Sequence, residues 1–194
     1  MPETADRQRR RVLGGLVLGA VTAALPAYAD TVLALDTQGT RYRPPAFTQT
    51  TAAGWINAAP LRWEDLRGRV VLLDFWTFDC WNCYRSFPWL KSIEQRYADR
   101  GLQIVGIHTP EFDHEKDRER VVTKVTEFGL QHPIMLDNGF VYWHAIGNRY
   151  WPAYYLIDRR GRVRALYVGE THVDDPQARA VERDLEVLLA ETPG

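Results

Sequence analysis

Apolar residues dominate VVLLDFW, residues 70–76, and again LQIVGI, residues 102–107. Runs of this length and character predict strands buried on both faces of a sheet. Between them the period changes. Phe87, Leu90, Ile93 and Tyr97 recur at three or four positions, which is the spacing of one helix face, and Gly101 can end that helix in the left-handed region. The pattern is a strand, a helix and a second strand.

The same reasoning carries on toward the C-terminus. A helix from about Lys116 to Phe128 would bury Val121, Val122, Val125 and Phe128, with Gly129 as its stop, and a strand follows at Pro133–Leu136. The charge-dense stretch from Glu111 to Arg120 reads as a solvated helix start. Residues 153–157 and 162–168 flank Asp158-Arg159-Arg160-Gly161, whose aspartate and glycine suit a hairpin turn. Asp175 and Pro176 then open a last helix with Val181, Leu185, Leu188 and Leu189 on one face. Residues 30–69, with Pro44, Pro45 and Trp55, read as a loop-rich lead-in containing a short hairpin. Parallel strands joined by helices, closed by an antiparallel pair, predict an α/β sandwich around one mixed sheet.

The N-terminal stretch does not belong to that fold. Four arginines at positions 7, 9, 10 and 11 precede a nearly uncharged run from Val12 to Leu25, and Ala27-Tyr28-Ala29 follows. This is the form of a secretory signal peptide, residues 1–29, cleaved after Ala29, and Arg9-Arg10-Arg11-Val12-Leu13 suits a twin-arginine address. Residues 30–194 then form one domain, exported and soluble after cleavage. The leader holds four of the 24 basic and two of the 25 acidic side chains, leaving 20 and 23, a net charge near −3. That balance gives no basic footprint for nucleic acid or anionic lipid. Nothing apolar beyond Ala29 is long enough to span a bilayer.

Candidate chemistry centres on WTFDCWNC, residues 76–83, which holds both cysteines of the chain. A structural disulfide between Cys80 and Cys83 would close a four-residue loop, worth roughly 2 kcal/mol, against ~3 for a fifteen-residue loop. A structural zinc site would need four ligands, and the chain has no second cysteine pair. A redox role gains from position, because the pair falls where a strand feeds a helix. Cys80 would sit at the helix N-terminus, where unpaired amides favour an anion and can draw a thiol from ~8.5 toward ~7. Only the thiolate attacks a disulfide. Cys83, one turn further in, would resolve the mixed disulfide.

LLDFWTFDCWNC, Pro88 five positions after the second cysteine, and Trp151-Pro152 before AYYLID together resemble the thioredoxin fold over residues 55–170. The long segment between Gly101 and Trp151 and the lead-in ending DLRGRVVLLDFW are similar to the exported TlpA-like branch, with its insertion and N-terminal extension. GWINAAPL, WTFDCWNC, GIHTPEF and GNRYWPAYYLIDRRGRVR resemble most of all the redoxin domain of DipZ-type proteins, which is fused there to a membrane electron transporter. The resemblance implies a thiol–disulfide oxidoreductase acting on protein disulfides or dithiols, with no bound cofactor and no metal, and a membrane thiol transporter as redox partner. It implies Asp74 as a buried proton acceptor for Cys83 and Pro152 as a cis proline facing the dithiol, with Trp151 before it. Reductant is favoured over oxidant. Two departures stand out: Trp81-Asn82 lies between the cysteines, and Ser86 stands where many TlpA-like proteins carry glutamate, which leaves the acid chemistry to Asp74 with Glu111 as a second candidate.

Other residues bear on substrates and on rival readings. Trp81, Trp151 and Phe78 are candidates for docking an extended polypeptide, Trp81 being the one expected at the rim, while Trp76 and Trp89 read as core. Asp79, beside Cys80, opposes the thiolate. His108 and His144 read as structural histidines. A copper-binding assembly factor would instead use the thiolates with one of these histidines. A thiol peroxidase would rest on Thr77 and Cys80, but Leu73 stands where its pattern wants proline.

Overall fold

The computed structural model describes residues 34–36 and 42–192, so the expected leader, residues 1–29, lies outside the described residues. Six strands form one mixed sheet in the order β1-β4-β3-β2-β5-β6. They are β1 (Trp55–Ile56), β2 (Val70–Trp76), β3 (Leu102–His108), β4 (Ile134–Leu136), β5 (Ala153–Ile157) and β6 (Val163–Val168). Four helices cover the sheet: α1 (Trp81–Tyr97), α2 (Arg118–Phe128), α3 (Val141–Ile146) and α4 (Pro176–Ala190). β2 lies between parallel β3 and antiparallel β5. That explains why every residue of β2 is buried and why its sequence shows no polar face.

Alternation along β2 divides the core. Val70, Leu72 and Trp76 face Phe87, Leu90 and Ile93 of α1, Val121 and Val125 of α2, and Val181, Leu185 and Leu188 of α4. Val71, Leu73 and Phe75 face Tyr142, Trp143 and Ile146 of α3 together with Phe47 and Trp55 from the lead-in. The lead-in contains no hairpin among the described residues; its one strand, β1, pairs with β4 instead. The physical reason is the face it covers. Phe47 packs on Trp55, Trp63 and Tyr142 at centroid distances of 5.4, 4.8 and 5.5 Å, so the segment is held by aromatic burial against the sheet rather than by pairing with itself.

Caps explain the other boundaries. α2 begins at Arg118, two residues later than the spacing predicts, because the Asp117 carboxylate accepts from Glu119 N at 2.9 Å and Asp113–Lys116 form a separate 3-10 turn. Val122 and Phe128 are only partly buried. Asp175 caps α4 by accepting from Ala178 N at 2.6 Å, with Pro176 in the first turn as expected. The outer edge of β6 is covered. Asp36 N donates to Arg164 O at 2.8 Å and Val163 N to Tyr42 O at 3.1 Å, while the buried Arg164 guanidinium meets Asp158 and Glu191 at 3.1 and 2.8 Å.

Gly106 on β3 stands opposite Asp74, and a Cβ there would lie 3.0 Å from both Ile134 Cγ1 and Trp76 Nε1. Its missing side chain is what lets the Trp76 indole lie flat under α1, edge-on to Phe87 at 5.5 Å. Gly106→Ala is therefore expected to cost about 1–3 kcal/mol by overpacking. Urea unfolding should show a lower midpoint at unchanged slope; an unchanged midpoint would mean the indole has room to move.

Candidate active site

β2 ends at Trp76, and four residues later Cys80 forms the N-cap of α1, its Sγ accepting from Cys83 N at 3.2 Å. The two sulfurs are joined as a disulfide. Cys80 is partly exposed while Cys83 is 1% exposed, so an incoming sulfur can reach the first and not the second. The amide of Cys83, one of the orphan donors of the helix start, already points at the Cys80 sulfur. In the reduced protein that donor and the helix dipole would favour the thiolate.

On β2, six residues before Cys80, Asp74 is 1% exposed and its Oδ2 has no hydrogen-bond partner. Burial pushes its carboxyl up to about 8, because the charged form loses its water and receives nothing in exchange. Tyr154, its cross-strand neighbour on β5, is also buried, and the hydroxyls of Ser86 and Thr171 face it without a hydrogen bond of good geometry. Ser86 itself donates to Asn82 O at 2.7 Å and accepts from Thr171 N at 2.9 Å. The position that carries glutamate in many TlpA-like proteins thus ties α1 to the loop after β6.

A second buried carboxylate, Glu115, is 0% exposed. Its Oε1 accepts from the Thr77 hydroxyl and from Asp79 N at 3.0 Å, and its Oε2 from Glu111 N and Phe112 N, both at 2.7 Å. His108 Nε2 lies 3.3 Å from Thr77 Oγ1. With the Thr77 hydrogen committed to Glu115, His108 must donate through Nε2, which leaves Nδ1 bare, and Nδ1 is indeed without a partner. Burial lowers this imidazole to about 4, keeping it neutral. The expectation of a solvated stretch from Glu111 to Arg120 fails at Glu115, and Glu111, the second acid candidate, is exposed and contributes its backbone N–H.

The other site candidates divide between rim and core. Trp81 is 66% exposed and tilted against Tyr84 at 5.7 Å. The Trp151–Pro152 bond is cis, as expected. Trp151 is half-buried against Trp143 at 4.2 Å and donates from Nε1 to Thr109 O at 3.0 Å. Phe78 does not reach the docking face; it is 8% exposed, held between His108 and His114. Trp76 and Trp89 are core. His144 is exposed on α3, and among the described residues no group of three or more His, Cys, Asp or Glu could hold a metal ion.

The family model for Redoxin matches residues 42–182. The chain belongs to the redoxin family. Protein DipZ of Mycobacterium tuberculosis is 40% identical over 161 residues, which is 81% of this chain and 22% of DipZ. The chain thus spans about a fifth of that relative. Thiol-disulfide oxidoreductase YkuV of Bacillus subtilis is 26% identical over 78% of this chain and 99% of its own length. A thiol-disulfide isomerase from Corynebacterium glutamicum superposes with a TM-score of 0.64 at 23% identity, covering 79% of this chain and 99% of that one, a likeness in fold. This redoxin has a thioredoxin-like fold with the Cys80–Cys83 disulfide at the head of α1.

Burial of Asp74 has a measurable consequence for stability. From about pH 4 to pH 8 the unfolded carboxyl has lost its proton while the folded one keeps it, so stability falls as pH rises through this window. His108 acts oppositely between about 4 and 6.5, where only the unfolded chain binds the proton. Asp74→Asn should therefore unfold at higher urea than the parent at pH 8.5, by several kcal/mol, with the gap closing toward pH 4.5. A gap that stays constant with pH would show that Asp74 titrates normally.

Proposed function

We propose that this redoxin works in an exported compartment as a reductant of protein disulfides, its dithiol renewed by a membrane thiol electron transporter. The observation that carries the reading is the pairing of an accessible sulfur at a helix cap with a second sulfur buried one turn below. The leader-like residues 1–29 support export. Similarity to a stretch of DipZ supports a transporter as redox partner. Among the described residues no helix is long and apolar enough to cross a membrane.

The chemistry balances as follows. The Cys80 thiolate attacks one sulfur of a substrate disulfide, forming a mixed disulfide and releasing the other sulfur as a thiolate that takes a proton. Asp74, as the carboxylate, accepts the Cys83 proton; its raised pKa of about 8 makes it basic enough to do so near neutrality. The Cys83 thiolate then attacks Cys80 Sγ and expels the second substrate thiolate. Two electrons pass to the substrate and the internal disulfide closes. Pro152 shapes the groove opposite the dithiol by withholding a backbone N–H, with Trp151 fixed beside it and Trp81 offering an apolar face to an extended chain.

Cys83→Ser should trap mixed disulfides with substrate proteins, reversible by dithiothreitol, while Cys80→Ser traps none. Equal trapping by both would remove the assignment of roles. Equilibration of the pair with glutathione should give a potential nearer thioredoxin's ~−270 mV than the ~−120 mV of a strong oxidant; the opposite result would reverse the direction proposed. Trp81→Ala should leave stability within about 0.5 kcal/mol and raise KM for a protein disulfide several-fold, with reduction of a small disulfide unaffected.

A further inference from the structure

We infer that Glu115 is a positioning residue that sets the acidity of Cys80 and the reduction potential of the pair, through a buried negative charge fastened to the loop that presents the sulfur. The inference rests on disulfide exchange by Cys80 and Cys83, and on no particular substrate or direction.

Three kinds of observation support it. Glu115 is wholly buried, yet all four of its hydrogen bonds come from donors. Three of these donors are backbone N–H groups, which can only donate, and the fourth is a threonine hydroxyl whose own acceptor side is turned to His108. Such a shell fits an acceptor-only carboxylate, the ionised form. Next, the contact to Asp79 N at 3.0 Å anchors the residue immediately before Cys80, so the carboxylate is fastened to the backbone next to Cys80 and out of water. Finally, the cation that would neutralise Glu115 is missing from this shell. His108, the nearest base in the network, is kept neutral by burial, and the loop's other acid, Asp79, is paired at 2.5 Å with His114 on the exposed side.

A charge in that position opposes a Cys80 thiolate and leaves the disulfide untouched. It therefore shifts the equilibrium toward the disulfide, making the dithiol the stronger reductant, and raises the pH at which Cys80 reacts. The groups facing the Cys80 loop are Asp79, His114, Asp117, Glu119, Arg120 and Lys124 on the solvent side, with Glu115, Thr77, His108 and the uncharged Asp74 on the buried side. Of the acids among them Glu115 is the buried one supplied with donors throughout, and so the least screened by salt.

The test measures Cys80 directly, by the pH dependence of alkylation with iodoacetamide and by equilibration with reduced and oxidised glutathione. Glu115→Gln keeps the size of the side chain and removes the charge. It should move Cys80 alkylation to lower pH and shift the glutathione equilibrium toward the dithiol by roughly tenfold, which is about 30 mV. Thr77→Val removes one donor and leaves the charge less compensated, so it should move both readings the opposite way. Opposite signs support the inference. Shifts of the same sign, or Glu115→Gln values within threefold of the parent, would overturn it and leave Glu115 as a loop fastener. If Glu115→Gln does not fold, the sign of the Thr77→Val shift decides, since mere loosening of the loop would raise reactivity and not lower it. Absence of any exchange with glutathione by the parent protein would count against the oxidoreductase reading itself, and is thereby distinct.

Discussion

The structure turns on the seating of one sulfur as the cap of a helix. β2 is buried on both faces and paired on both edges, and a slip of one residue would send Asp74 to the α3 side and Phe75 to the α1 side. Register is therefore fixed by packing along the whole strand. It follows that the loop from Thr77 to Asp79 starts from a fixed point, and that the first free amides of α1 arrive at a fixed point too. Cys80 lies where those two constraints meet. What the pair can do chemically depends on that alignment.

The buried acids of the candidate site are costly. Two carboxylates are buried, and the fold treats them in opposite ways. Asp74 Oδ2 has no partner, so its charge is withheld until the pH approaches 8, and the residue is left as a base of useful strength. Glu115 is supplied with four donors, which fix its geometry. Satisfaction by hydrogen bonds is thus what separates these two carboxylates. The large apolar core on either side of the sheet is what lets the fold carry an unsatisfied carboxyl at its centre.

Periodicity made the sheet and helices legible in the sequence because β2, β3 and α1 bury their side chains in simple patterns, and Gly101, Gly129 and Asp175 mark their ends with residues whose backbone or side-chain roles are local. Cys80 and Cys83 were legible for the same reason, since they lie at a junction between elements, and the cis Pro152 through the resemblance carried by Trp151-Pro152 before AYYLID. What stayed hidden depends on contacts far apart in sequence. β1 pairs with β4, nearly eighty residues away, and two residues of strand carry no pattern. Phe78 reads like a surface aromatic until His108 and His114 close over it. Glu115, amid the charged run from Glu111 to Arg120, differs from its neighbours only through Thr77 and Asp79, more than thirty-five residues upstream. A signal was available in part, since a glutamate three residues after Phe112 suits a capping turn, but that reading alone would leave the side chain at the surface.

The direction of exchange in such a pair is decided by competition, and magnitudes indicate which side has room to win. A helix terminus contributes typically 0.3–1 kcal/mol toward an anion, and up to ~2 when partly buried. The charge inferred at Glu115 works against it by the roughly tenfold, about 1.4 kcal/mol, that its removal is expected to recover. Asp79 adds to that opposition only so far as solvent and His114 leave it uncompensated, and both are nearly half exposed, with side-chain values of 46% and 43%, so its share is the smaller. The cap would therefore favour a Cys80 thiolate, and the charge inferred behind the loop would restrain it. With Glu115 charged, as inferred, such a pair would give up its electrons more readily than one with the helix effect unopposed, through a hydrogen-bonded carboxylate thirty-five residues downstream.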